Sequence, residues 1–134
     1  MVTNEGLNWA LNKVFRETTW YVAPFTSASY VPAATDTAAN FPSLAAEATT
    51  QYSEGTRQPH VNTVSTSKLI SNAGNMAAFT AASAVTLYGV GLTTNSIKGS
   101  TTGTLMASTV FDVPKTLSTG EKLLVTVEIG AASG

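Results

Sequence analysis

The sequence contains no cysteine and little charge, and both absences limit what the chain can be. Without cysteine there is no disulfide framework, no zinc–thiolate site and no thiol nucleophile. Charged residues make up only 11% of the 134 residues, well under the roughly 25% of an ordinary soluble domain. A surface that is poor in charge repels other proteins weakly, which suits a component that packs into an assembly.

Basic residues are few and dispersed, with 7 Lys and Arg and a formal net charge of −1. No cluster of them provides an electrostatic footprint for nucleic acid or a polybasic membrane anchor. No stretch approaches the roughly 18–20 apolar residues of a membrane span, and the N-terminus lacks the pattern of a signal peptide. We therefore expect a soluble protein made in a cytoplasm, with neither nucleic acid nor a membrane as partner.

Groups that could do chemistry are equally sparse. His60 is the only histidine, and no G-x-S-x-G motif marks a serine for a triad with Asp36 or Asp112. A metal site would need His60 with Glu47 or Glu54, which is too thin a ligand set to predict one. The remaining carboxylates are dispersed and single out no pair for glycoside hydrolysis. We predict that the chain is not an enzyme and has no catalytic, cofactor-binding or metal-binding residues.

Hydrophobic residues make up 43% of the chain, enough for the core of one domain over residues 1–134. The run Thr18–Phe25 combines β-branched and aromatic residues and predicts a strand, with Pro24 at its end or on an edge. Lys122–Ile129 alternates strictly between apolar and polar residues, which predicts a strand with one buried face. Gly89 and Gly91 indicate a bend or a close backbone approach.

Helical spacing is confined to the start of the chain. Thr3 can cap a helix that we predict over about Asn4–Phe15, within an N-terminal helix or arm of residues 1–16. We expect such a helix either to cover one open edge or end of a sheet or to dock onto a neighbouring subunit. Residues 130–134 are predicted to be a flexible tail, and Glu54 and Arg57 a candidate ion pair at a bend. A further strand is predicted from His60 to Ser67.

Short strands separated by turn signals, with almost no helix after residue 15, are typical of all-β proteins. The predicted fold is an antiparallel β-sandwich, jelly-roll-like, with one short N-terminal helix. The long Ala-, Ser- and Thr-rich loop that follows Phe25 is predicted to make contacts, because it holds few groups that could do chemistry.

Five short segments, in order over most of the chain, carry a family resemblance: Val2–Asn8, Thr19–Phe25, Gln51–Arg57, Leu87–Gly91 and Leu117–Val127. Together they resemble a family of small virion proteins of tailed bacteriophages. The chain departs from that pattern at Ala23-Pro24, where a Val-Gly-Leu-like continuation of the strand is expected.

The resemblance implies a capsid cement, or decoration, protein located on the capsid surface of the virion after synthesis in the host cytoplasm. Its implied partners are the major capsid protein and further copies of itself, as a dimer or trimer. The N-terminal segment, the loop after Phe25 and the C-terminal tail are then the expected contact regions. The candidate contact residues are Leu7, Trp9, Leu11, Phe25, Tyr30, Val31 and Phe41.

Three alternatives remain at the level of sequence. The chain could be a tail or head-fibre component of the virion, since small β-sandwiches serve there too. It could be a carbohydrate-binding jelly roll, and a hydrolase that uses His60 as its base is the weakest option. The aromatic residues considered for a sugar-binding surface are Trp9, Trp20, Tyr30, Tyr52 and Tyr88, although aromatics are more often core or interface anchors.

Overall fold

A computed structural model describes residues 1–132, which form mostly antiparallel β-structure with one N-terminal helix of 13 residues. This confirms the predicted β-rich class. The helices and strands, in chain order, are α1 Asn4–Arg16, β1 Tyr21–Phe25, α2 Phe41–Leu44, β2 Gln58–Pro59, β3 Leu69–Ser71, β4 Ala77–Thr80, β5 Val85–Thr93, β6 Leu105–Leu117, β7 Lys122–Val125 and β8 Glu128–Gly130.

The largest sheet has four strands in the order β2-β1-β5-β6, all antiparallel. Strand β1 pairs with β5 along its whole length, but with β2 only at Tyr21 and Val22. Pro24, which has no N–H to donate, therefore lies beyond the end of the β2 ladder. Strand β6 lies at the opposite edge of the sheet and pairs only with β5 among the described residues.

Two smaller antiparallel pairs, β3 with β8 and β4 with β7, complete the β-structure of residues 1–132. The alternation predicted for Lys122–Ile129 is present as β7 and β8, interrupted at Thr126 and Val127. The fully buried Asn72 spans this interruption, because its side-chain amide donates to Val125 O and its oxygen accepts from Val127 N. The break in the ladder thus retains hydrogen-bond partners for the backbone.

Apolar side chains cover both faces of the four-stranded sheet. The larger cluster includes Val22, Ile70, Phe79 and Leu87, together with Phe15 of α1. The smaller cluster lies under the long loop that follows β1. Its buried residues are Ala23, Phe25, Tyr30, Phe41 and Ala45. The long loop is therefore part of a second core.

Helix α1 begins where the sequence predicts, with Thr3 accepting a capping hydrogen bond from Gly6 N. Its buried residues are Leu11 and Phe15, and both belong to the larger cluster. The strand predicted over His60–Ser67 is wrong, because most of this segment runs alongside α1 without a strand ladder. Asn8 and Asn12 of α1 supply the hydrogen bonds that a neighbouring strand would provide.

The C-terminal segment differs from the predicted flexible tail. Gly130 is the last residue of β8 and pairs with Leu69, and Ala131 N donates to Lys68 O at 3.0 Å. Pairing with β3 thus fixes the position of Gly130 and Ala131, which composition alone predicted to be part of a flexible tail. The rest of the predicted tail includes Ser133 and Gly134, which lie outside the described residues.

Candidate functional site

An open groove of about 420 Å³ lies between edge strand β6 and the segment Val125–Ile129. Strand β5 contributes Val90 and Leu92, whose side chains belong to the larger core cluster. The half-buried Phe111, Val127 and Ile129 pack against that cluster and also line the groove. The groove therefore exposes the half-buried side chains that pack against the core, while Val90 and Leu92 themselves are buried.

The β6 side of the groove carries small side chains. Ala107 pairs with Leu92 and Thr109 with Val90, and both small residues are exposed. Residues opposite each other in a ladder share a face of the sheet, so Ala107 and Thr109 lie on the same face as the core residues Val90 and Leu92. Small residues at these positions leave space beside the core that larger side chains would fill.

Strand β6 is long, exposed and irregular. Its exposed aliphatic residues include Val110 at 44% and Val113 at 63% exposure. Val110 and Lys115 pair with Gly89 and Leu87, so the four residues from Phe111 to Pro114 bulge opposite Tyr88 alone. The bulge accommodates Pro114, and the strand continues to Leu117.

Four of the predicted contact residues are occupied by packing inside the chain. Phe25 and Phe41 are 0% and 1% exposed, and Leu11 and Tyr30 are also buried. Phe25, Tyr30 and Phe41 form a triangle of edge-to-face aromatic contacts with ring centroids 5.0–6.1 Å apart. Their side chains form core contacts rather than the predicted surface contacts, because the loop folds back over the sheet.

The other three predicted contact residues lie apart from one another on the surface. Trp9 is 65% exposed on α1 and Val31 is 77% exposed in the loop after β1, whereas Leu7 is half-buried. Lys13 Nζ lies 5.8 Å from the centre of the Trp9 ring. A contact role for these three residues stays a prediction, and none of them lines the groove beside β6.

A buried ion pair links Glu47 and Arg57, which both lie between α2 and β2. Arg57 donates two hydrogen bonds to Glu47, from Nε to Oε1 at 2.7 Å and from Nη2 to Oε2 at 2.6 Å. Both side chains are 1% exposed. Arg57 Nη1 also donates to Asn95 O at 2.9 Å, and Nη2 to Ser100 O at 3.2 Å. One guanidinium therefore connects the segment between α2 and β2 to the loop between β5 and β6.

The predicted Glu54–Arg57 pair is wrong, since Arg57 pairs with Glu47 and Glu54 accepts hydrogen bonds from Thr80. Thr80 N and Thr80 Oγ1 donate to the Glu54 carboxylate at 2.7–3.0 Å. Partial burial raises the pKa of Glu54, but these hydrogen bonds outweigh it and leave the pKa below its ordinary value. Partial burial also lowers the pKa of nearby Lys98, whose Nζ donates to Tyr52 O at 2.9 Å.

A second polar cluster ties the long loop to β6. The Tyr30 hydroxyl donates to Asp36 Oδ2 at 2.7 Å and lies 2.7 Å from Ser108 Oγ on β6. Burial raises the pKa of Tyr30. The hydrogen bonds from Tyr30 and from Ala33 N lower the pKa of Asp36. The loop is thus fixed to the edge strand on the sheet face that carries the smaller cluster.

Acidification is expected to destabilise the fold partly through Glu54. A carboxyl group whose pKa is lower in the folded than in the unfolded state stabilises the fold above its unfolded pKa, and this contribution is lost as the pH falls through the folded pKa. Glu54→Gln should therefore make stability less dependent on pH from about its ordinary value of 4.5 downwards. Urea unfolding at pH 7 and pH 3 measures this.

The control for that experiment is Glu5→Gln, at an exposed carboxylate in the first turn of α1. Glu5 accepts no side-chain hydrogen bond within residues 1–132. The control should keep the pH dependence of the wild type. An equal pH dependence in the wild type and in Glu54→Gln would contradict the assignment to the hydrogen bonds from Thr80.

His60 is buried and holds the β7–β8 segment in place. Its Nε2 lies 2.9 Å from Val127 O, and its backbone N–H donates to Trp20 O at 2.7 Å. Within residues 1–132 there is no group of three or more His, Asp or Glu side chains that could hold a metal ion. The described part of the chain also contains no helix long and apolar enough to cross a membrane.

The sequence did not predict the groove, although one of its two walls belongs to a segment that was predicted as a strand. The alternating segment Lys122–Ile129, predicted as a strand with one buried face, contributes one wall of the groove, including Val127 and Ile129. The other wall depends on β6 being an edge strand, and strand order is not apparent from alternation within one strand. An exposed series such as Ala107, Thr109 and Val110 in a β-forming segment is the signal that could have indicated an edge.

Comparison of the chain with models of protein families, with curated proteins and with solved structures found no match.

Proposed function

We propose that this chain is a structural virion protein that binds the outside of a bacteriophage capsid and cements neighbouring major capsid subunits. The observation that supports it best is the 13-residue edge strand β6, exposed beside an open apolar groove. Exposed strand edges with adjacent side-chain pockets are surfaces to which other proteins add a strand. The resemblance of five sequence segments to phage virion proteins supplies the identity of the partner.

The proposed architecture is a β-sandwich of the jelly-roll kind. It is supported by the larger apolar cluster, which draws residues from the four-stranded sheet and from both two-stranded pairs. Two facing sheets bury their inner side chains in this manner. In such a sandwich β6 and β7 are neighbouring edges, and the groove is the opening between them.

Cementing follows from mass action. A ligand that binds the mature shell more tightly than the precursor or the separated subunits stabilises that shell, and the effect is multiplied over many equivalent sites. Contact with two neighbouring subunits adds avidity without requiring a strong individual contact. The low content of charge, 11%, limits long-range repulsion between copies crowded on one shell.

Binding to isolated shells tests the proposed function. Purified protein is mixed with undecorated shells of the phage that encodes it, and the sedimented shells are examined by cryo-electron microscopy. We expect density for the chain on the outer surface, between major capsid subunits. Bare shells, with the chain found in tails or fibres of the virion, would overturn the cement proposal in favour of the tail-component alternative.

Substitution of Trp9 tests whether α1 contributes to shell binding. Trp9→Ala should change the free energy of unfolding by less than about 1 kcal/mol, because the side chain is 65% exposed. If α1 contacts the shell, the same variant should weaken binding by about fivefold or more, since exposed tryptophans are frequent interface anchors. Chemical denaturation and co-sedimentation measure the two effects, and Val64→Ala is the control because Val64 is a neighbouring exposed residue.

A further inference from the structure

The free edge of β6 and the groove beside it together form an incomplete site for a strand. Within residues 1–132, β6 pairs on one side only, with β5, and the β7–β8 segment likewise has ladder partners on one side only. A strand placed next to β6 would direct alternate side chains into the groove. Ala107 and Thr109 leave space for those side chains.

The side chains that line the groove specify the chemistry of its occupant. Most of the lining is aliphatic or aromatic, including Val125, Val127, Ile129 and Phe111. Its charged side chains are Asp112 and Glu128, both acidic and both exposed. No lysine or arginine lines it. An apolar segment that also carries a positive charge is therefore complementary to it.

We propose that the groove binds an extended apolar segment of the partner protein, which adds as a strand to β6 and places a lysine or arginine near Asp112 and Glu128. The inference relies on the proposed function for the identity of that partner as the major capsid protein. Backbone hydrogen bonds to β6 would contribute affinity, and the groove would select the side chains.

Hydrogen exchange on the shell-bound protein tests strand addition directly. Exchange of backbone amides in residues 105–112 is followed by mass spectrometry, free and in the presence of undecorated shells. Strand addition should slow exchange at alternate amides of this segment by about tenfold or more, because the outward N–H groups acquire acceptors. Bound protein with unchanged exchange in residues 105–112 would overturn the inference while leaving the proposed function intact.

A variant that fills the groove provides a second readout. Thr109→Trp should weaken shell binding by about tenfold or more, since the indole would occupy space that the partner's side chains need. The matched control is Thr101→Trp, at an exposed position in the loop between β5 and β6 that does not line the groove. Circular dichroism and denaturation midpoints establish that both variants fold.

The two acids test the charge of the occupant. Asp112→Asn combined with Glu128→Gln should weaken binding by about threefold to tenfold and reduce its dependence on salt. Unchanged affinity and salt dependence would overturn the assignment of a basic residue.

Wild-type protein that does not bind shells would overturn the proposed function, and with it the occupant assigned here. Binding of glycans that Thr109→Trp abolishes would assign the groove to the carbohydrate-binding alternative instead.

Discussion

Replacing Arg57 by methionine is expected to lower the free energy of unfolding by about 3–5 kcal/mol, because it leaves the Glu47 carboxylate buried without its partner. Both side chains are 1% exposed, so water does not replace the lost hydrogen bonds. The carbonyl groups of Asn95 and Ser100 lose their donors as well. Urea or guanidinium denaturation of the wild type and the variant measures the loss.

The matched control is Lys13→Met, which removes an ion pair of nearly the same length. Lys13 Nζ and Glu17 Oε1 are 2.7 Å apart, but the two side chains are 47% and 62% exposed. Exposed pairs of this kind contribute about 0.3–0.5 kcal/mol. Equal effects of Lys13→Met and Arg57→Met would contradict the argument that burial determines the cost.

A double variant separates the charge from the remaining hydrogen bonds. Arg57→Met with Glu47→Leu removes both charges and should recover part of the lost stability, since a buried pair replaced by apolar groups is often tolerated. Recovery should be incomplete, because the partly buried carbonyl groups of Asn95 and Ser100 still lack the guanidinium donor. Full recovery would mean that the loops do not depend on those two hydrogen bonds.

The sequence predicted the local elements better than their partners. Thr3 and the apolar residues at helical spacing predicted α1 because capping and amphipathicity are local properties. The alternation over Lys122–Ile129 predicted one strand for the same reason, and the structure divides that segment into β7 and β8. Arg57 was paired with Glu54 in the prediction, since the two are three residues apart. In the structure Thr80 binds Glu54, a pairing that only tertiary folding produces.

The contact residues illustrate the same limit. Phe25, Tyr30 and Phe41 occur in or near a loop without periodicity, and their composition does not distinguish a surface anchor from a buried one. The structure shows that the loop covers one face of a sheet, which buries these rings. Predicting the groove beside β6 would likewise require the order of the strands, because the groove forms only where β7 and β8 lie next to β6.

Replacing Gly89 by alanine is expected to destabilise the protein by more than about 3 kcal/mol or to prevent folding, beyond the usual range for overpacking. A Cβ atom at this position would lie 2.1 Å from Thr109 O and 2.4 Å from Phe25 Cζ. Thr109 belongs to the neighbouring strand, so its carbonyl group cannot move without disrupting the β5–β6 ladder. The close backbone approach predicted for this glycine is present.

Gly91 gives the informative contrast, because its obstruction is a side chain. A Cβ atom there would lie 2.6 Å from Phe41 Cζ and would meet no backbone atom among its three nearest neighbours. Gly91→Ala should therefore cost less than Gly89→Ala, about 1–3 kcal/mol. Phe41→Leu should relieve part of that cost in the double variant, and should relieve none of the cost of Gly89→Ala.

Gly74→Ala is the control for both glycine substitutions, because a Cβ atom there has no neighbour within 4 Å and should leave stability within about 0.5 kcal/mol. Denaturation of the single variants and of the two double variants with Phe41→Leu yields the coupling energies. A large favourable coupling of Phe41 with Gly91 alone would show that the aromatic ring, whose Cζ lies nearest to this position, requires that glycine. Equal coupling with Gly89 would instead mean that the strain passes through Phe25, whose ring contacts Phe41 and obstructs the position of a Cβ atom at Gly89.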